Sequence, residues 1–381
     1  MKKLLLTTAL VGVAFTAAPA MAEVSLGLGG HFKGYVAWND QDEEAGFDAK
    51  SFDILRETEI HFTGETTLDN GLTVGFHVES EADGGNGMEV EESYAYFAGN
   101  WGRVNFGAED GANYLLQVSA PSADSNIDGI RQYINPINYN ALLGLDPALT
   151  AAGIAPTFGD PAVGNLNFAL DYASDASGYA DKITYITPVF SGFQAGASYT
   201  PDVGGDSNNG FADSFGVRLD NDGLGEAYEA AVRYEGQFNA VRVALGAGYT
   251  HVENDEAGAG EDDRKNWNVG ANLGFGPFNV GAAYVTDNNA TDSNDSDTWV
   301  VGADYTTGPF VLGVSYLNRD DDVSGLLGTT GDLESERYSG GVTYTYGPGM
   351  SFRGSVHHVE HEYAGDDVDA TSVLLGTQIG F

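Results

Sequence analysis

Ile60-His-Phe-Thr-Gly-Glu-Thr-Thr-Leu-Asp-Asn-Gly-Leu-Thr-Val-Gly-Phe-His-Val78 runs out, turns and runs back. Ile60, Phe62 and Leu68 share one parity, and Leu72, Val74, Phe76 and Val78 continue it. His61, Thr63, Glu65 and His77 take the other. An apolar period of two means that one face of a strand meets apolar surroundings and the other does not. Pairing Leu68 with Leu72 keeps the two faces matched and leaves Asp69-Asn70-Gly71 as a three-residue turn. Such a turn ends on a left-handed residue, which Gly71 supplies.

The pattern extends both ways. Upstream, Val24, Leu26, Leu28, Phe32, Val36 and Trp38 oppose Ser25, His31, Lys33 and Tyr35, while Glu57 and Glu59 oppose Ile54 and Ile60. Downstream, alternation is clear in Tyr228/Ala230/Val232/Tyr234, Trp267/Val269/Leu273, Trp299/Val301/Ala303/Tyr305 and Phe310/Leu312/Val314/Tyr316. Sixteen strands are predicted. Short turns fall at 69–71, 99–102, 188–192, 236–239, 276–277, 307–309 and 347–349. Long, mostly acidic loops fall at 39–52, 82–89, 109–180, 201–223, 254–265, 287–297, 320–333 and 362–369. An even strand count with long and short connections at opposite ends points to an all-β fold, a 16-stranded antiparallel transmembrane β-barrel. A soluble sandwich has no reason to keep its long loops at one end. Tyr199, Tyr249, Tyr284, Tyr305, Tyr316 and Phe381 lie near strand ends on the apolar parity, where an interfacial girdle belongs.

Composition agrees. Nothing after residue 22 resembles a spanning helix, so a membrane protein of this sequence must cross with strands. There are 20 Phe, 20 Tyr, 53 Gly and no Cys, so a large sheet rather than disulfides must hold the chain. The formal charge of −40 excludes a nucleic-acid binder, which needs a basic stripe. Residues 1–22 read as a secretory signal peptide: Lys2 and Lys3, an apolar run from Leu4 to Phe15, then Ala20-Met21-Ala22. Residues 23–381 form the barrel domain, and loss of Lys2 and Lys3 takes the charge from −40 to −42. No Gly-x-Ser-x-Gly elbow or Walker loop is present, so the expectation is that the protein is not an enzyme.

Phe62-Thr-Gly-Glu-Thr-Thr-Leu-Asp-Asn-Gly-Leu72, Tyr96-Phe-Ala-Gly-Asn-Trp-Gly-Arg-Val-Asn-Phe-Gly107, Thr184-Tyr-Ile-Thr-Pro-Val-Phe-Ser-Gly-Phe193 and the terminal Phe381 resemble Gram-negative general porins. The nearest likeness is to the Rhodobacter-like trimeric outer-membrane porins of alphaproteobacteria. The resemblance implies a homotrimer in outer-membrane lipid and lipopolysaccharide, exported with loss of its signal peptide. It also implies passive diffusion of small hydrophilic solutes and ions. The third external loop, 109–180 by the strand count, would fold into the lumen as the constriction, its acids facing a basic wall. Where the family carries arginines, this chain has Glu59, Ala108 and Thr184.

Lumen parity offers Lys33, Arg103, Arg233, Arg242 and Arg353 as wall cations, with Glu59 among them as an acid. The loop offers Asp110, Asp124, Asp128, Asp146 and Asp160. Opposed charges across a narrow aqueous gap orient polar solutes, and their net sign biases ions. The acid excess predicts cation preference. The competing functions are a substrate-specific channel and a structural or adhesive barrel with a closed pore. No cofactor is expected. Glu261, Asp262 and Asp263, and Asp320, Asp321 and Asp322, are weak candidates for Ca²⁺ or Mg²⁺ on external loops, though solvated acids at a lipopolysaccharide surface explain them as well. His31, His61 and His77 share lumen parity, with His77 opposing Thr63. They offer a weak metal site, but His31 is expected at another height.

Overall fold

The computed structural model describes residues 24–43, 48–82, 88–123, 127–128, 130–132, 134–138, 170–203, 223–255, 262–291, 295–322, 332–363 and 366–381. Its strands are β1 (Ser25–Gln41), β2 (Phe52–Thr67), β3 (Thr73–Glu81), β4 (Glu89–Gly99), β5 (Gly102–Ala108), β6 (Ile127–Asp128), β7 (Arg131–Gln132), β8 (Asp181–Ile186), β9 (Phe193–Thr200) and β10 (Leu224–Phe238). They continue as β11 (Val241–Asn254), β12 (Arg264–Phe275), β13 (Phe278–Asp287), β14 (Ser296–Thr307), β15 (Phe310–Asp322), β16 (Asp332–Gly347), β17 (Met350–Tyr363) and β18 (Asp366–Gly380). Sixteen of them close into one antiparallel barrel, β1 pairing with β18, while β6 and β7 form a separate small hairpin. The closing seam is tied by paired backbone bonds of 3.1 Å between Gly30 and Phe381.

The alternation in the sequence becomes inside and outside. Leu26, Leu28, Ile54, Phe62, Phe76, Val269, Val301 and Leu312 are exposed on the outer surface. Two aromatic belts ring that surface. Near the long loops, Tyr199 packs on Tyr228 and Tyr284 packs on both Trp267 and Trp299. Near the short turns, Phe193 packs on Tyr234, Phe278 on Tyr305 and Phe310 on Tyr344. This is the surface of a barrel whose outside meets hydrocarbon and whose two rims meet headgroups. The predicted turn after β2 forms as read: Leu68 N–H donates to Leu72 O at 2.8 Å, and Gly71 has φ +82°.

An apolar core also lies inside the barrel. Ala283, Val285, Val300, Leu317, Leu333, Val359 and Ala370 face inward and pack on Ala120, Ile137, Leu170 and Tyr172 of the long third connection. Ile134 of the same connection packs on Tyr35, Ala37 and Leu374. Period two alone assigns these wall positions to water. They stay dry because a buried segment of chain covers them.

Candidate functional site

The third connection leaves β5 as Glu109-Asp110-Gly111 and enters the short helix α1 (Ala112–Leu115), which lies against the inner face of β8 to β11. Asn113 fixes it there. It is wholly buried, its Nδ2 donates to Thr250 Oγ1 at 2.8 Å and Asn266 Oδ1 at 3.2 Å, and its Oδ1 accepts from Asn268 at 2.6 Å. Glu229 on β10 accepts the Asn113 backbone N–H at 2.9 Å and is also bonded by Ser177 from the returning arm. Residues 116–123 then cross the wall over inward-facing glycines. A Cβ at Gly270 would stand 2.0 Å from the Val118 carbonyl oxygen, and one at Gly302 2.0 Å from that of Pro121. Both obstacles are backbone, which cannot swing aside, so the segment's path requires glycine on the wall.

Arg131 ties the connection to itself. It is 2.5 Å from Asp175 and 3.6 Å from Asp110, and its guanidinium stands 4.7 Å from the centre of the Tyr114 ring. Asp110 is buried, and that burial pushes its carboxyl up to about 7 against the pull of Arg131.

The opposite wall, β1 to β4, carries a different array. His31 Nε2 lies 2.8 Å from Glu57, and His31 Nδ1 lies 3.3 Å from Glu59. His61 Nε2 lies 3.2 Å from Glu59 and 3.3 Å from Glu79. His77 Nε2 lies 3.3 Å from Glu79 and 3.8 Å from Glu92. Four carboxylates and three imidazoles thus alternate across four strands. The β1–β2 register pairs His31 with Glu59, and the β2–β3 register pairs His61 with Glu79 and Thr63 with His77. His61 itself opposes Gly29, so His31 stands two residues off level with it, and their rings are 6.4 Å apart across that diagonal. A register shift between Glu79 and Ser80 opposes Glu79 to Glu92 and Ser80 to Val90. This bulge turns Glu91 inward too, bringing its carboxylate within 4.8 Å of those of Glu59 and Glu79.

The sequence candidates distribute unevenly. Lys33 is buried at mid-strand, opposite Glu57 in register and 3.2 Å from its carboxylate. Glu59 stands in the His–Glu array. Arg103 is one residue past the turn before β5, Arg242 one residue into β11 and Arg353 three residues into β17, so these three line the short-turn end. Arg103 bonds Asn105 and lies 4.0 Å from the centre of the Tyr96 ring. Arg242 bonds Asn279 at 2.8 Å, and Arg353 bonds Ser351 at 3.3 Å. Arg233 pairs with Glu235 at 2.5 Å and donates to the Gln117 carbonyl of the third connection at 3.2 Å. Asp110 does not face open lumen, because Arg131 and the wall enclose it. Asp128 belongs to the β6–β7 hairpin. Asp124, Asp146, Asp160, Glu261 and the leader at 1–22 lie outside the described residues.

Among the described residues the external acids do not converge. Asp320, Asp321 and Asp322 are not in a loop but end β15, where successive side chains point to opposite faces. Asp321 is taken by Arg319 at 2.8 Å. Asp262 is held by Lys265 at 2.5 Å, and Asp263 accepts the Asn254 N–H at 3.1 Å. The cations missed from the sequence include Arg131 and the buried residues Lys182, Arg319 and Arg337. The acids missed include Glu79 and Glu92, which keep the regular lumen parity, and Glu91, whose parity the bulge obscures.

A family model described as Gram-negative porin matches residues 7–364. Solved structures share the fold. An anion-selective porin from Comamonas acidovorans superposes with a TM-score of 0.59 at 19% identity, over 94% of this chain and 100% of its own. A mutant porin from Rh. blastica gives 0.53 at 18% identity, over 93% and 100%. A loop-deletion mutant of OmpT, an outer membrane protein of Vibrio cholerae, gives 0.54 at 14%, over 94% and 99%. A comparison with the curated proteins finds no match.

Proposed function

The chain belongs to the Gram-negative porin family and is an outer-membrane β-barrel channel; from that premise we propose that it is a general diffusion porin with a preference for cations. The observation that carries the reading is the wall of β1 to β4, where Glu57, Glu59, Glu79, Glu91 and Glu92 stand on one face, with Lys33 paired to Glu57. Rings and patches of carboxylate favour cations in an aqueous pore. The formal charge of −40 adds a long-range field of the same sign. Three of the wall arginines stand at one mouth, where they oppose this bias least at mid-barrel. The third connection, docked on the inner wall, narrows the passage without selecting a particular solute.

The channel works as a homotrimer bedded in lipopolysaccharide. Arg56 supports a contact between protomers: it is exposed on the outward face of β2, where a charge against lipid costs up to about 2–4 kcal/mol at the midplane. Calcium or magnesium ions bridge the external acids loosely, and calcium should raise the melting temperature of the trimer only slightly. Swelling of proteoliposomes in a graded series of sugars tests the central reading. Uptake should fall smoothly with solute size and should not saturate. Saturable uptake of one sugar would make this a specific channel, and no swelling at all would make it a closed surface barrel.

A further inference from the structure

The His–Glu array contains more than a source of charge. We propose that His61 Nε2, His77 Nε2 and Glu79 Oε2 form a site for a divalent transition-metal ion such as Zn²⁺ on the lumen wall. The proposal rests on the reading of the barrel interior as an ion passage, and it adds an occupant of a chemistry that diffusion alone does not call for.

Geometry supports it first. The three donor atoms lie within 4.8 Å of one another. Both imidazole nitrogens are 3.3 Å from the same carboxylate oxygen. Two ligands held about 2.0–2.1 Å from zinc in a tetrahedral site are themselves about 3.3 Å apart. The two rings meet nearly at right angles, with an interplanar angle of 86° and centres 5.3 Å apart, so their nitrogens approach the shared oxygen from different sides. Little movement is needed to place an ion between them.

Rigidity supports it next. All three residues sit inside paired strands, not on loops. The β2–β3 register that opposes His61 to Glu79 is continuous through Phe62↔Val78 and Thr63↔His77. Glu59 lies 3.2 Å from His61, and Glu92 lies 3.8 Å from His77, so each imidazole has a further carboxylate beside it. Both carboxylates face the Nε2 atoms that would ligate the ion, so they stand beside the site as further oxygen donors.

The ligand chemistry selects the metal. Two imidazoles and one carboxylate suit zinc, copper and nickel, whereas calcium and magnesium take oxygen. The side chains of His61, His77 and Glu79 remain 27%, 18% and 16% exposed, so an ion in the lumen reaches them. Three protein ligands leave one tetrahedral position for water, which permits exchange. The site would concentrate a transition-metal ion in transit and, when filled, would add positive charge to the wall and weaken its attraction for monovalent cations.

The test is isothermal titration of Zn²⁺ into the full-length barrel in detergent, paired with single-channel recording. Wild type should bind one ion per chain at this site, and calcium should not displace it. His61→Asn with His77→Asn should weaken binding by well over the about tenfold that loss of a supporting group costs. Glu79→Gln is the gentler variant and should also weaken it. Zinc should reduce potassium current through wild type and leave the double variant unaffected. Equal zinc binding by wild type and the double variant would overturn the proposal by assigning the ion to His31, His251, His357, His358 or His361. No zinc binding by a normally conducting wild type would overturn it outright. A barrel that binds zinc through these residues but carries no current would sink the channel reading and leave the site standing.

Discussion

Asn113 shows what single side chains do in this lumen. One amide, wholly buried, satisfies Thr250, Asn266 and Asn268 from two adjacent strands. Asn113→Ala leaves those groups to find other partners in a site closed by α1. The expected loss is about 1–3 kcal/mol, read as a lower urea midpoint with an unchanged slope. Asp110 makes a second prediction, through pH. Burial raises its carboxyl from the ordinary carboxylate range to about 7, so the folded chain keeps a proton that the unfolded chain releases earlier. Stability should therefore be highest below about pH 4, fall as pH rises to about 7, and level off beyond. Asp110→Asn removes this share of the decline, so its advantage over wild type should grow across that window. An advantage constant from pH 4 to pH 8 would show that the carboxyl is not buried in solution.

At the scale of elements, the third connection and its glycine track belong together. Residues 116–123 approach the wall so closely that a side chain at Gly270 or Gly302 would meet the backbone of Val118 or Pro121. Gly270→Val or Gly302→Val should lift the segment off the wall, change single-channel conductance and open the connection to protease. Unchanged conductance and protection would place the segment elsewhere. This is also where the sequence stops being legible. Strands, turns, parity and the third loop's place in the order all follow from a local period of two and from turn chemistry. The register that sets His31 diagonal to His61 depends on pairing between strands, which no single strand encodes. The β4 bulge at Glu91 shifts parity by one residue inside an acidic run, where one short apolar side chain, Val90, is too little to record the slip. Val285, Leu317, Leu333 and Val359 look misplaced on a lumen face until the covering chain is seen. The asymmetry between the two walls was hidden for the same reason.

Over the whole molecule, the two sides of the lumen divide the work. The wall from β9 to β18 is dressed by the third connection, through Asn113, the glycine track and an internal apolar core. The wall from β1 to β4 keeps a ladder of carboxylate and imidazole that is buried at Glu57 and Glu59 and half-buried at His61, His77 and Glu79. On the proposed reading, net charge and that ladder act in one direction, favouring cations near the mid-barrel wall over anions. The Comamonas acidovorans porin shares the barrel and is named as anion-selective; on the proposed reading the sign of selectivity comes from wall residues and not from the fold. The most direct test is the reversal potential of the purified channel in a planar bilayer under a potassium chloride gradient. The account predicts a cation-selective sign at neutral pH, moved toward zero by Glu59→Gln combined with Glu79→Gln. An anion-selective sign, or a cation preference untouched by that double substitution, would contradict it.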